Sequence, residues 1–258
     1  MLLRTFFSRF DRRARLPKGV RIYAVGDLHG CADLLAGAFD LIDADLARSR
    51  PEQAIQVFLG DYIDRGPDAK RTIDLLIDRG QRHETVFVRG NHEALLLGLL
   101  DDPKMLPNWI KLGGMTTLMS YGITTSARDV LQRGREVSVA LAAAIPSAHT
   151  DFLANLVPCF SCGDYFFVHA GVRPGVPLDK QSEEDLMWIR EPFLSSDRDF
   201  GKVVVHGHTP SLEPEIRSHR INIDTGAYAT GLLTVLSIQD DKVEFHSSSR
   251  SRARQDLE

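Results

Sequence analysis

A layered α/β fold built from βαβ units is what this sequence predicts, on three observations. Strand-like and helix-like apolar patterns alternate from residue 21 to residue 100. The alternation gives way to a helix-only stretch between 101 and 158 and then resumes with strands. Short clusters of Gly with Asp or His stand directly after most of those strands. Strands that alternate with helices bury both faces of a mostly parallel sheet, so the order of elements carries the architecture.

Arg21–Gly26 (RIYAVG) reads as a buried strand. Cys31–Arg48 follows with Leu34, Leu35, Ala38, Leu41 and Ile42 at helical spacing. Ala54–Gly60 is the next strand, Asp68–Arg79 a helix with Ile73, Leu76 and Ile77 on one face, and Thr85–Val88 a strand. Asn91–Leu100 opens another helix, and Gly66-Pro67-Asp68 is the turn that starts the one before it. Val130–Ile145 and Ser147–Leu156 are the clear helices of the middle stretch, read as a helical insertion or cap. Strands return at Tyr165–Val168, Lys202–Val205, Arg220–Asp224, Leu232–Ile238 and Lys242–His246; the short connections between the last three predict antiparallel pairing. The expected layout is a basic segment over 1–18, one domain over 19–246 that includes the insertion at 101–158, and a flexible tail over 247–258.

Composition narrows the function. The chain has 258 residues, 43% apolar and 26% charged, enough to bury a core without staples. Its net charge of −4 is uneven: residues 1–21 carry +6 and residues 247–258 carry +1, leaving −11 for the body between. A body that acidic lacks the basic face of a nucleic-acid binder and suits cations. No apolar run reaches the ~18–20 residues that cross a bilayer, so no transmembrane segment is expected. Three cysteines, Cys31, Cys159 and Cys162, make no disulfide framework. The opening residues lack a secretory apolar core, which predicts the cytoplasm. Leu2, Leu3, Phe6, Phe7 and Phe10 share one helical face among arginines: a terminal helix, frayed or docked on the core, or else a weak membrane-surface anchor. Oligomeric state is unreadable.

The chemistry is written in five motifs: Gly26-Asp27-Leu28-His29-Gly30, Gly60-Asp61-Tyr62-Ile63-Asp64-Arg65-Gly66, Arg89-Gly90-Asn91-His92-Glu93, His169-Ala170-Gly171 and Gly207-His208-Thr209-Pro210. Taken alone, a strand-end Asp is a turn or cap residue, and a lone His a satisfied core or surface group. Five such motifs together point to a metal site beyond the carboxyl ends of strands. In Asp27-x-His29 an extended backbone would aim both side chains the same way. Asp61 has two carboxylate oxygens and can bridge two cations. Mixed carboxylate, amide and imidazole donors suit Mn, Fe or Zn better than Ca or Mg. Glu93, just inside the helix opened by Asn91, reads as a favourable charge at a helix N-terminus. The Cys159-x-x-Cys162 pair reads as structural or incidental.

This ordered set resembles the calcineurin-like metallophosphoesterase superfamily. More narrowly it is similar to the phosphoprotein phosphatase (PPP) family and its bacterial and phage-type serine/threonine protein phosphatases. Ile223-Asp224-Thr225-Gly226-Ala227 also resembles that family's late strand motif. The resemblance implies a four-layer αββα metallophosphoesterase sandwich with a helical insertion and a centre of two divalent metal ions, Mn²⁺ first, Fe or Zn otherwise. It implies Asp27 and His29 on the first metal, Asp61 as the bridge, and Asn91, His169 and His208 on the second. His206 sits two residues before the GHTP histidine and is left as a neighbour. His92 is implied as the general acid, oriented by Asp64, with Arg65, Arg89, Asn91 and Arg190 facing the phosphate. The expected reaction is in-line attack by metal-activated water on a phosphomonoester, with a phosphorylated protein or peptide as substrate. The alternative is a diadenosine tetraphosphate (dinucleoside polyphosphate) hydrolase, whose pattern ends GNHD where this chain has Glu93. A non-catalytic phosphoprotein-binding scaffold would have lost a ligand or the acid, and none is missing. Trp109 and the Lys111-Leu112-Gly113-Gly114 turn read as packing, or as lining of the substrate groove.

Overall fold

The computed structural model of the chain describes residues 14–250. It first lays down three parallel strands, β1 (Val20–Val25), β2 (Gln53–Phe58) and β3 (Thr85–Phe87), with α1 (Ala32–Ser49) and α2 (Ala69–Arg82) as crossovers. β1 is buried throughout, and its side chains divide between two layers. Tyr23 and Val25 pack with the helices, whereas Ile22 and Ala24 face a second sheet. Asp68 caps α2 by accepting from the Arg71 amide at 3.2 Å.

α3 (Asn91–Asp101) leads into α4 (Leu106–Trp109), α5 (Met115–Ser120), α6 (Ala127–Ala144) and α7 (Ser147–Ala154). Leu106, Trp109, Leu118, Leu141 and Leu153 join the same apolar cluster as α1 and α2. These helices therefore thicken the outer layer over the first sheet. Between α4 and α5 Gly113 turns to φ 112°, and its carbonyl accepts from the Arg65 amide at 3.1 Å.

The second sheet holds β4 (Cys159–Cys162), β5 (Tyr165–Val168), β6 (Val203–His206), β7 (Glu215–Ile216) and β8 (Arg220–Asn222), in the order β4-β5-β6-β8-β7. Tyr165 and Phe167 of β5 enter the layer between the sheets. Phe166 and Val168 point outward, where Leu186 of α8 (Glu183–Trp188), Ile189 and Phe193 cover them. The chain then passes through α9 (Ala227–Thr230) to β9 (Leu232–Gln239) and β10 (Lys242–Ser249), giving the first sheet its order β10-β9-β1-β2-β3. Two stacked sheets flanked by helices are the αββα sandwich.

Several expectations need correction. The three C-terminal strands do not form one antiparallel set. β8 lies parallel to β6 in the second sheet, and only β9 and β10 pair as a hairpin. The left-handed Gly226 and Gly231 that cap α9 turn the chain from one sheet to the other, which a short connection conceals. The Cys159–Cys162 stretch is an edge strand antiparallel to β5. β10 continues to Ser249, beyond the expected boundary at 246, and Arg250 is ion-paired with Asp33 at 2.6 Å. The apolar face of Leu2, Leu3, Phe6, Phe7 and Phe10 lies outside the described residues. Among the described residues no single helix is long and apolar enough to cross a membrane.

Candidate metal centre

Six strands, β1, β2, β3, β5, β6 and β8, end at the same edge of the sandwich, because within each sheet they run parallel. Just past their carboxyl ends stand Asp27, Asp61, Asn91, His169, His208 and Asp224, all buried. The loops there bend sharply: His29, Asp61, Asp64, Arg65 and His208 all have φ between 42° and 69°. Five of the seven non-glycine residues in that region, among those described, belong to this one edge. Such backbone costs energy and persists where surrounding contacts hold it. The conformation of His29 also corrects an expectation. Its side chain reaches the cluster from a left-handed turn, not from an extended Asp27-x-His29 segment.

Asp61 is the centre of the arrangement. Its Oδ2 lies 3.4 Å from His29 Nε2 and its Oδ1 3.3 Å from His169 Nε2. His169 Nε2 in turn lies 2.9 Å from Asn91 Oδ1 and 3.1 Å from His208 Nδ1. Two groups of donors thus share one carboxylate: His29, Asp61 and His92, and Asp61, His169 and His208. Asp27 stands beside them, its Oδ2 accepting from the His208 amide at 3.0 Å. A Cβ on Gly207 would strike Asp27 Oδ1, so only glycine admits the Asp27 carboxyl there.

The imidazoles are set up to present lone pairs. His29 Nδ1 donates to the Ile63 carbonyl (3.0 Å) and His169 Nδ1 to the Leu59 carbonyl (2.8 Å), which leaves each Nε2 as an acceptor. Burial pushes His29 and His208 down to about 3, and lowers His169 as well. The acids are crowded. Burial, then Asp224 and Asp61, hold the Asp27 carboxyl well above its ordinary range, and burial pushes Asp224 up to about 6. Burial also acts to raise Asp61, but the histidines around it outweigh burial and lower it. Three of the buried polar side-chain atoms that lack a partner, Asp27 Oδ1, His92 Nε2 and His208 Nε2, are found here. Neutral imidazoles, crowded carboxylates and orphaned donor atoms in one buried place fit divalent cations.

His92 differs from its neighbours. Its Nδ1 is 2.6 Å from Asp64 Oδ2, while Nε2 is unpartnered and 3.8 Å from Asp61 Oδ2. Burial alone would lower this imidazole; Asp61 and Asp64 outweigh it, and the group is raised. Asp64 is itself clamped, accepting from Trp109 Nε1 at 2.8 Å and from the Thr117 hydroxyl at 2.6 Å. Arg65 reaches the edge of the site, with NH1 3.0 Å from His29 Nε2. Arg190 is exposed, and its charge acts on His169 and His208. The Arg89 guanidinium donates to the Leu156 carbonyl (3.1 Å) and lies 3.5 Å from Glu183. His206 faces away, its Nε2 3.4 Å from Arg220 and its ring against Phe193.

Three residues do more than the sequence disclosed. Glu93 is fully buried and accepts from the amides of Gly90 (3.0 Å), Asp61 (2.9 Å) and Tyr62 (2.7 Å), so one carboxylate ties two motif loops together. Trp109 combines packing with a hydrogen bond to Asp64. Asp224 was visible as part of a motif without a role; its position after β8 matches that of Asp27, Asp61, His169 and His208 after their strands.

The sequence model of the family described as calcineurin-like phosphoesterase matches residues 20–231. An asymmetrical bis(5'-nucleosyl)-tetraphosphatase, PrpE of Anoxybacillus flavithermus, is 25% identical over 82% of this chain and 88% of that protein. A provisionally assigned diadenosine tetraphosphatase of known structure superposes with a TM-score of 0.63 at 21% identity, over 92% of this chain and all of that one. A mutant of a cold-active protein tyrosine phosphatase superposes with a TM-score of 0.60 at 14% identity, over 91% of this chain and 83% of its own. At these identities the two structures share the fold.

Proposed function

Because this chain belongs to the calcineurin-like phosphoesterase family, we propose that it hydrolyses a phosphoanhydride bond of a dinucleoside polyphosphate. The observation that carries the hydrolytic reading is the division of Asp61, one oxygen to each donor group. Asp27, His29 and Asp61 would hold one divalent ion, and Asp61, Asn91, His169 and His208 the other, with manganese first among the candidates. Such a pair supplies a water acidified to near neutral pH and offsets phosphate charge.

The chain's own residues do the rest. Arg65 and Arg190 hold phosphate oxygens, for which planar guanidinium forks are suited. Water adds to one phosphorus while the opposite P–O bond breaks, and the departing oxygen takes a proton from His92 Nε2. Asp64, by accepting from Nδ1, favours the doubly protonated ring, in which Nε2 also carries a proton to give. Trp109 and Thr117 hold Asp64, and Glu93 holds the loop that carries Asp61.

The choice of substrate reverses the order expected from the motifs. It rests on likeness to a bis(5'-nucleosyl)-tetraphosphatase across four-fifths of the chain. The phosphoprotein reading keeps the support of Glu93 in the RGNHE motif and of Arg190. Manganese-loaded protein given diadenosine tetraphosphate and a phosphoserine peptide separates the two. The dinucleotide is expected to show the higher kcat/KM by an order of magnitude or more; the reverse order assigns the chain to phosphoproteins.

A further inference from the structure

Among the described residues most aromatic side chains are buried or partly buried. Among the described residues the large exposed apolar side chains include only two aromatic ones, Trp188 at 39% and Tyr228 at 38%. Neither position is random. The Trp188 ring meets the His208 ring edge-on, with centroids 6.2 Å apart at 81°. The Tyr228 ring meets His29 in the same manner, at 5.3 Å and 84°. His29 and His208 are the outer members of the donor set, reached from opposite oxygens of Asp61. One exposed aromatic therefore stands at each flank of the centre.

Each aromatic has an arginine near it. Arg65 lies over the Tyr228 ring at 5.2 Å while its NH1 touches His29. Arg190 follows Trp188 by two residues and borders the same cavity of about 380 Å³, together with Ile189. The donor cluster thus has an exposed aromatic at each flank, with an arginine near each aromatic. A ligand that complements it has a flat apolar group at each end and a polyanion between. Exposed aromatic faces at a functional edge are costly to leave in water and are suited to stacking on bases, which all present a π-face.

We propose that Trp188 and Tyr228 are specificity-determining residues, each stacking one nucleobase of the dinucleoside polyphosphate. The assignment rests on the substrate reading given above and adds the residues that recognise its two ends.

The test measures binding to the manganese-loaded protein by calorimetry. The probes are a methylene-bridged, uncleavable diadenosine tetraphosphate and inorganic tripolyphosphate, which has the charge without the bases. In W188A, and separately in Y228A, the ratio of the analogue's Kd to that of tripolyphosphate is expected to rise about tenfold. W188F and Y228F, which keep a ring, should stay within threefold of the parent ratio. Since Trp109 is fully buried, quenching of tryptophan emission by the analogue should vanish in W188F although the analogue still binds. A ratio unchanged in the alanine variants, in a parent that cleaves the dinucleotide, overturns the stacking assignment alone. A parent that neither binds nor cleaves the dinucleotide, but cleaves the phosphoserine peptide, overturns both readings.

Discussion

His92 and Asp61 sit 3.8 Å apart in the same buried cluster, yet their surroundings prepare them for different work. Asp61 gives one oxygen to each donor group, and the buried histidines around it favour its charged form. His92 is turned the other way, with Nδ1 on Asp64 and Nε2 open. Substituting Asp61 by Asn should empty the site of metal and abolish turnover. Substituting His92 by Asn should leave the metal in place and slow turnover by ~10²–10⁴-fold, the usual worth of a positioned acid. Elemental analysis beside steady-state rates checks the pair; equal metal loss in both variants would return His92 to the ligand set. The GHTP motif led to the expectation of His208 rather than His206 as the ligand, and the two histidines are placed differently. His206 is the last residue of β6 and packs against Phe193, whereas His208 lies past the strand in a left-handed turn.

At the scale of elements, the helices after α3 act on the site without contributing one of the proposed ligands. Trp109 at the end of α4 and Thr117 in α5 both bond Asp64, and the Gly113 carbonyl between them takes the Arg65 amide. Trp109→Phe keeps most of the ring and removes the Nε1 donor, so kcat should fall several-fold with metal content unchanged. A shifted acidic or basic limb in the pH–rate profile would mark the change in Asp64 and His92, which a loss of packing alone would not move. Further back, Arg79 of α2 is buried and pairs with Asp43 of α1 at 2.5 and 2.9 Å. The Arg79 hydrogen bonds hold Asp43 below the ordinary carboxylate range. A depressed carboxyl stabilises the fold above its unfolded pKa of about 3.9 and loses that contribution as pH falls through its folded value. The stability gap between the parent and Asp43→Asn should therefore be full at pH 7 and close below about pH 4. Urea midpoints across that range test it. None of this was visible in the helix-only stretch, because hydrogen bonds from Trp109 and Thr117 to a loop some fifty residues earlier leave no periodic trace.

For the molecule as a whole, the two sheets are held face to face by one apolar layer, and both deliver loops to the same edge. Metal held at the proposed site would then be a bond between the sheets: Asp27, Asp61 and Asn91 come from the first, His169 and His208 from the second. A metal at about a thousand times its dissociation constant stabilises by ~4 kcal/mol. For a chain of this size each kcal/mol is worth roughly 2–4 °C. Chelation should thus lower the melting temperature by roughly 8–16 °C, and manganese should restore it; an unchanged melt would show that the cluster does not join the halves. The sequence by itself determined the alternation of strand and helix, and the Asp, His and Asn residues gathered at strand ends. Burial and short-range turn chemistry write those features into local patterns of residue type. Only the tertiary structure decided which sheet β8 joins, what Glu93 and Trp109 hold, where Arg89 is turned, and that Trp188 and Tyr228 stand on opposite flanks. Those outcomes depend on contacts between residues far apart in the chain, whose partners are set by how the two sheets pack.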